Sequence, residues 1–273
     1  MSKNVFTFDI DMAYKILSKA KAKDFKRLSS KKGRDELHLF MAEGVKCVND
    51  TLPAFCLEHL ICTNAWIENN RALADTYSDK ILLTDKKGIQ QISSLSSLPD
   101  VIAIFQIPEW ENESLEFSID EEGLYLLLDE IQDPGNLGTI IRTSDWFGVY
   151  NIFASKNTVD VFSPKVVQST MGSLSRVKVR YVDLEKLITE NKDIKVIGTL
   201  LDGKPLNKVT LERKGFLLMG NEGRGISDNL KKLIDLPLTI LPFNKNNHPD
   251  SLNVAIATAI VLSHFPSPGA NNS

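Results

Sequence analysis

Apolar residues fall into short runs separated by polar stretches that are often marked by Gly or Pro. Runs too short for a helix read as buried strands: 37–42 (LHLFMA), 60–63, 81–84 and 101–105, then 124–128 (LYLLL), 152–154, 177–181, 196–199, 216–219 and 236–240. Between them, apolar positions recur at helical spacing over 9–30, 43–57, 88–95, 137–147, 164–171, 184–190, 228–234 and 251–264. This alternation predicts an α/β protein. Its first part is a small α/β domain, and its second a mostly parallel sheet with helices on both faces. An acidic, aperiodic stretch separates them. The expected organisation is a domain over 1–108, a linker over 109–122, a second domain over 123–265, and a disordered Pro-, Gly- and Asn-rich tail over 266–273.

The sharpest local pattern is LYLLLDEIQDPGNLGTIIRTSDWFG, residues 124–148. A strand turns tightly at Asp133-Pro134-Gly135-Asn136 into a helix with Asn136 as N-cap and Gly148 as its stop. Such a turn places ligands at the strand's carboxyl end. Arg142 follows Gly138 by one helical turn, and the small residue clears space beneath the guanidinium. Arg142 either faces a ligand or is a solvated partner of Asp145.

Two further loops follow strands. Gly220-Asn221-Glu222-Gly223-Arg224-Gly225 has the wrong glycine spacing for a dinucleotide fingerprint and lacks the Lys-Ser/Thr of a P-loop. What remains is a loop whose backbone can approach a ligand with Glu222 inside it, or a plain turn. The third segment ends a strand at Pro242 and enters an apolar helix, for which Ser251 reads as the N-cap and Asn253 as a first-turn residue. Ser169, Gly172 and Ser173 read as helix termination.

Composition narrows the class. With 42% hydrophobic and 25% charged residues over 273 positions, the chain has ample core for two domains. No apolar run reaches membrane length, and the amino terminus lacks the pattern of a signal peptide. Cys47, Cys56 and Cys62 are odd in number, and the four histidines are scattered, which argues against a metal site and for a reducing cytoplasm. The net charge of −3 advertises no nucleic acid. Locally, however, Lys15, Lys19, Lys21, Lys23, Lys26, Arg27, Lys31, Lys32 and Arg34 stand against Asp24 alone. Such a stretch suits a phosphate backbone, with Lys26, Arg27, Lys31, Lys32 and Arg34 as candidate RNA contacts, or is a solvated basic helix.

Taken together, the three loops resemble the SpoU-type (TrmH-like) branch of the SPOUT RNA methyltransferases. Asn136, Gly138 and Arg142 match its N-x-G-x-x-x-R pattern. Gly220, Glu222, Gly223 and Gly225 match its glycine loop, and Pro242 with Ser251-Leu252-Asn253-Val254 matches its third signature. FSPKVVQSTMGSL, 162–174, resembles the segment between the first two. KRLSSKKGRDELHLFMAEG resembles the family's substrate-binding domain, which is similar to ribosomal proteins that grip kink-turns. The loop from Pro242 to Ser251 looks longer than usual, carries Asn246-Asn247-His248-Pro249, and is followed by Ala255 where serine is frequent.

The resemblance implies a carboxy-terminal trefoil knot, with the chain after Leu241 threaded through an earlier loop. It also implies a homodimer, and S-adenosylmethionine held by Thr199, Gly220, Leu241, Leu252 and Asn253. The implied reaction is methyl transfer to a ribose 2′-hydroxyl of ribosomal or transfer RNA, without a metal. Arg142 would hold the flanking phosphate and stabilise the developing alkoxide, because a guanidinium is not readily deprotonated. Asn136, Glu222, Asn253 and Ser251 would complete the catalytic group. Two other readings compete: a catalytically silent RNA-binding protein on the same fold, and a nucleotide-dependent oxidoreductase, which the failed fingerprint disfavours.

Overall fold

A computed structural model describes residues 14–109, 119–244 and 249–266. The chain forms two compact units, Met1–Pro108 with Phe162–Gly172, and Glu109–Val161 with Ser173–Ser273.

The first unit contains β1 (Lys15–Ile16), α1 (Lys19–Arg27), α2 (Lys31–Leu37), β2 (Leu39–Glu43), α3 (Val45–Thr51), β3 (Leu57–Cys62), α4 (Asn64–Asn69), α5 (Arg71–Thr76), β4 (Ile81–Leu83), α6 (Lys86–Ile92) and β5 (Val101–Gln106). Its sheet runs β1-β4-β3-β5-β2, with β5 antiparallel to both neighbours. The helix expected over 9–30 is corrected in part. Lys15–Ile16 pairs with β4 as a strand, and α1 starts only after Ser18, whose hydroxyl caps Lys21 N. Residues 9–13 lie outside the described ones. Ser30 caps α2, and His38 then takes the left-handed conformation (φ 51°), so the strand starts at Leu39 rather than Leu37. The helix expected to reach residue 57 stops at Thr51, two residues before Pro53, which has no N–H to continue it.

The chain after Pro108 contains β6 (Leu124–Leu128), α7 (Pro134–Trp146), β7 (Asn151–Ala154), α8 (Pro164–Ser169), β8 (Lys178–Tyr181), α9 (Leu184–Glu190), β9 (Val196–Pro205), β10 (Gly215–Met219), α10 (Asp228–Lys231), β11 (Leu236–Thr239) and α11 (Val254–Leu262). The second unit's six strands lie in the order β11-β9-β10-β6-β7-β8, and every pair is parallel. Alternation along the strands buries both faces. Tyr125, Leu127, Phe216 and Leu218 pack with Leu184, Leu187 and Leu230 of α9 and α10. Leu126 and Leu128 point the other way and are fully buried, on the side left to α7 and α11, which pack on each other. The strand order reverses at β6. The next strands in sequence, β7 and β8, extend one side, and the later ones the other. The loops after β6 and β10 therefore meet at a topological switch point.

Helix α8 lies inside the sequence span expected for the second domain but groups with the first unit. The reason is aromatic. Phe162 sits with its ring centroid 4.7 Å from that of Phe40, in a cluster with Phe55 and Phe105. Strand β9 is longer than the expected 196–199. It pairs with β11 through Gly198, bulges over residues 199–203, and resumes pairing at Lys204. The threading expected after Leu241 passes through residues 245–248, outside the described ones.

Candidate active site

Helix α7 begins earlier than the sequence pattern predicts. Asp133, not Asn136, is the N-cap. Its Oδ1 accepts from Asn136 N at 2.9 Å, and Pro134 occupies the first turn, where its missing N–H costs nothing. This correction frees the Asn136 side chain. Its Nδ2 donates to Glu222 Oε1 at 2.5 Å, and its Oδ1 accepts from Asn253 Nδ2 at 2.8 Å.

The cap of α11 is corrected in the same way. Asn253 is the N-cap, its Oδ1 accepting from Ala255 N and Ile256 N, and Ser251 is exposed upstream of it. Asn253 therefore faces the helix with its oxygen and Asn136 with its nitrogen. Every amide in the series points a donor towards the Glu222 carboxylate. Glu222 Oε2 has no partner among the described residues.

Glu222 is carried by a tight hairpin in which Asn221 and Gly225 exchange backbone hydrogen bonds of 3.0 and 2.9 Å. Asn221 Oδ1 also accepts from Gly223 N and Arg224 N. A Cβ on Gly220 would lie 2.3 Å from Ile226 N and 2.4 Å from Gly225 C, so only glycine allows this closure. Gly225 holds a positive φ of 69° and has open space where a Cβ would stand.

Arg142 is exposed on α7. Its alternative partner Asp145 is taken by Arg176, which binds it with two donors at 2.6–3.0 Å. Among the described residues Arg142 has no hydrogen-bond or ion-pair partner. The structure thus joins Asn136, Glu222 and Asn253, and leaves Arg142 and Ser251 outside that network.

Thr199 opens the β9 bulge and donates to Met219 Sδ. Leu201 at the bulge is 82% exposed, and Leu241 and Leu252 are exposed as well. An open glycine hairpin beside exposed apolar side chains fits a cofactor with an apolar body held by backbone groups. Among the described residues no cluster of His, Cys, Asp or Glu is placed to hold a metal, and no helix is long and apolar enough to cross a membrane.

The basic stretch of the first unit is largely engaged. Arg34 is only 2% exposed, and its Nη1 donates to Leu28 O at 2.8 Å. That corrects its reading as an RNA contact, since a buried guanidinium closing the end of α1 does not face solvent. Lys26 donates to Ser93 O, Arg27 pairs with Glu36 and Asp24, Lys31 with Asp35, and Lys32 with Glu36 at 3.9 Å. Sequence reasoning missed that Asp35 and Glu36, just past the basic run, would pair back onto it at helical spacing. It also missed Asn157, which lies outside every motif, and Glu130, which lies within the 124–148 stretch but was given no role.

Comparison with known proteins places these features. Residues 123–263 match the SpoU rRNA Methylase family, and residues 19–103 match the MRM3-like substrate binding domain. The chain is 31% identical over 250 residues to the 23S rRNA (guanosine(2553)-2′-O)-methyltransferase RlmP of Bacillus subtilis, covering 90% of this chain and 95% of that one. Among solved structures it is similar to a putative RNA methyltransferase of the TrmH family from Porphyromonas gingivalis, at 35% identity and a TM-score of 0.79, covering 91% and 98% of the two chains. It is also similar to an AdoMet-bound rRNA methyltransferase from Sinorhizobium meliloti, at 30% identity and a TM-score of 0.76, covering 92% and 95%.

Proposed function

The chain belongs to the SpoU rRNA Methylase family of S-adenosylmethionine-dependent RNA methyltransferases, and from that premise we propose that it methylates a ribose 2′-hydroxyl in structured ribosomal RNA. The observation that carries the proposal is the convergence of Asn136, Glu222 and Asn253 on one side-chain network from three segments far apart in the chain. The relative from Bacillus subtilis, named for a 2′-O-methylated guanosine of 23S rRNA, supports the choice of atom and RNA.

Thr199, Gly220, Leu241, Leu252 and Asn253 would hold S-adenosylmethionine, with the chain after Leu241 threaded as a trefoil knot. Bound there, the cofactor supplies an already activated methyl group, so the protein's tasks are alignment and proton removal. Alignment alone is worth several kcal/mol. Arg142, with its donors uncommitted, holds the phosphate beside the target ribose and stabilises negative charge growing on O2′. Asn136 and Asn253 orient Glu222 through Oε1, and Oε2 accepts the hydroxyl proton. Ser251 lies beside this group without joining it.

The exposed Trp146 on α7 (85%) and Ile256 on α11 (54%) lie on the two helices that pack together. They suit burial by a second copy, and the enzyme acts as a cytoplasmic homodimer. Lys31 and Lys32, whose partners are solvent-exposed, contact the RNA backbone.

The test supplies methyl-labelled S-adenosylmethionine with protein-free ribosomal or transfer RNA, followed by alkaline hydrolysis. A 2′-O-methyl group blocks cleavage at the neighbouring phosphodiester, so label must appear in dinucleotides. Label in mononucleotides would overturn ribose specificity. Cofactor binding without any transfer would instead leave a silent RNA-binding protein.

A further inference from the structure

Between Asp129 and Ile131 the chain leaves β6 with Glu130 at φ 54°, a left-handed conformation that a side-chain-bearing residue adopts at a cost. Every polar group of this residue is engaged. Its N–H donates to Ser155 Oγ at 2.8 Å, and its carbonyl accepts from Asn221 Nδ2 at 2.8 Å. Its carboxylate accepts from Asn157 Nδ2 at 2.9 Å and pairs with Arg224 at 3.3 Å. Ser155 and Asn157 belong to the loop after β7, and Asn221 and Arg224 to the hairpin after β10. Since β6 lies between β7 and β10, Glu130 ties together the loops of three adjacent strands at their carboxyl ends.

We propose that Glu130 is a positioning residue: it sets the Asn221–Gly225 hairpin so that Glu222 meets Asn136. The argument is geometric. Glu222 stands between Asn221 and Arg224, and both of these are held by Glu130, one through its backbone and one through its carboxylate. From Glu130 the chain runs directly to Asp133, the cap that fixes the start of α7 and so the place of Asn136. One residue therefore references both ends of the Asn136–Glu222 contact. Its catalytic consequence rests on the methyl-transfer reading above, whereas its hold on the hairpin does not.

Glu130→Gly isolates the carboxylate, because glycine accepts the positive φ and keeps both backbone bonds. Glu130→Gln retains an acceptor for Asn157 or Arg224. Amide exchange over residues 221–225 should rise at least about tenfold in Glu130→Gly and much less in Glu130→Gln. With saturating cofactor and RNA, the single-turnover rate should fall at least about tenfold in Glu130→Gly, with RNA affinity unchanged, and under about threefold in Glu130→Gln. Arg224→Ala should lower the rate alone but add little in the Glu130→Gly background. Unchanged exchange in Glu130→Gly overturns the proposal, and so does faster exchange with an unchanged rate. If wild-type protein transfers no methyl group while exchange responds as stated, the transferase reading fails and the bracing role stands.

Discussion

Asn253 Nδ2 donates to Asn136 Oδ1 at 2.8 Å across 117 residues of chain, and the orientation of that amide is dictated by the helix it caps. Three substitutions separate the two duties. Asn253→Ser keeps a capping oxygen but is too short to reach Asn136. Asn253→Asp keeps the cap and sets an acceptor against an acceptor. Asn253→Ala loses both, with a stability cost of about 1 kcal/mol. The expected order of single-turnover rates is wild type, then Asn253→Ser, then Asn253→Asp, while thermal melting should single out Asn253→Ala. Wild-type rates in both the serine and the aspartate variants would show that the amide donor is not needed.

Arg142 lies three residues before Asp145 on α7, yet it is Arg176, 31 residues further along the chain, that binds this acid. Arg142→Lys should keep fold and cofactor affinity and lose on the order of 10²–10³ in rate, because lysine cannot present the planar donor fork. Arg142→Ala should be at least as damaging. Arg176→Ala should cost about 0.2–1 kcal/mol of stability, as expected of a partly exposed pair, and no rate. Single-turnover transfer beside denaturant melts checks both, and a near wild-type rate for Arg142→Ala would remove that residue from the chemistry.

The basic stretch should divide by burial. Lys31→Glu with Lys32→Glu should reduce the salt dependence of RNA binding by about two units of slope and leave cofactor binding intact. Arg34→Ala should act through folding, at about 1–3 kcal/mol, by leaving Leu28 O without its donor. Filter binding across a salt series, with melts, tests the division. An RNA defect in Arg34→Ala at full stability would argue against it.

His59 supplies a pH dependence. Burial, and then the neighbouring Lys21 ammonium, hold its pKa below the ordinary 6.5. Lys21 Nζ lies 2.7 Å from Nε2, where a neutral imidazole accepts from it. Because the folded pKa is depressed, the unfolded chain takes up the proton first as pH falls below 6.5. The stability that neutral His59 contributes is present above 6.5 and is lost as pH falls towards the folded pKa. Melting between about pH 7 and about pH 5 should therefore decline more steeply in wild type than in His59→Gln. Parallel curves would remove His59 from the pH response.

Much of the second unit was legible because buried parallel strands are continuous apolar runs. LYLLL at 124–128 is bounded by its neighbours as β6 is. The helix starts were harder. Asn136 and Ser251 are good capping residue types, yet Asp133 before a proline and Asn253 after Leu252 are equally good, and local propensity does not rank them. Tertiary contact decides: Asp133 takes the cap, and the Asn136 side chain bonds Glu222 instead. The bulge in β9 was hidden because Leu201-Asp202-Gly203 has turn chemistry, while its strand character comes from pairing with β11 far along the chain. Glu130 carried no local signal at all. Glutamate is an unusual choice for a positive φ, and its partners arrive from residues 155–157 and 221–224.

Phe162 and α8 complete the aromatic cluster around Phe40, although synthesis delivers them after β6 and β7. A ribosome making this protein would release Met1–Pro108 long before Gly172 emerges. At about 5–20 residues per second the interval is several seconds, during which Phe40, Phe55 and Phe105 await their cover. Apolar surface left open in that window is of the kind that chaperones shield. A gene fragment cut at the apparent domain boundary would encode a permanently uncovered core, and the fragment should be recoverable in soluble form only if a peptide carrying residues 162–172 is supplied with it.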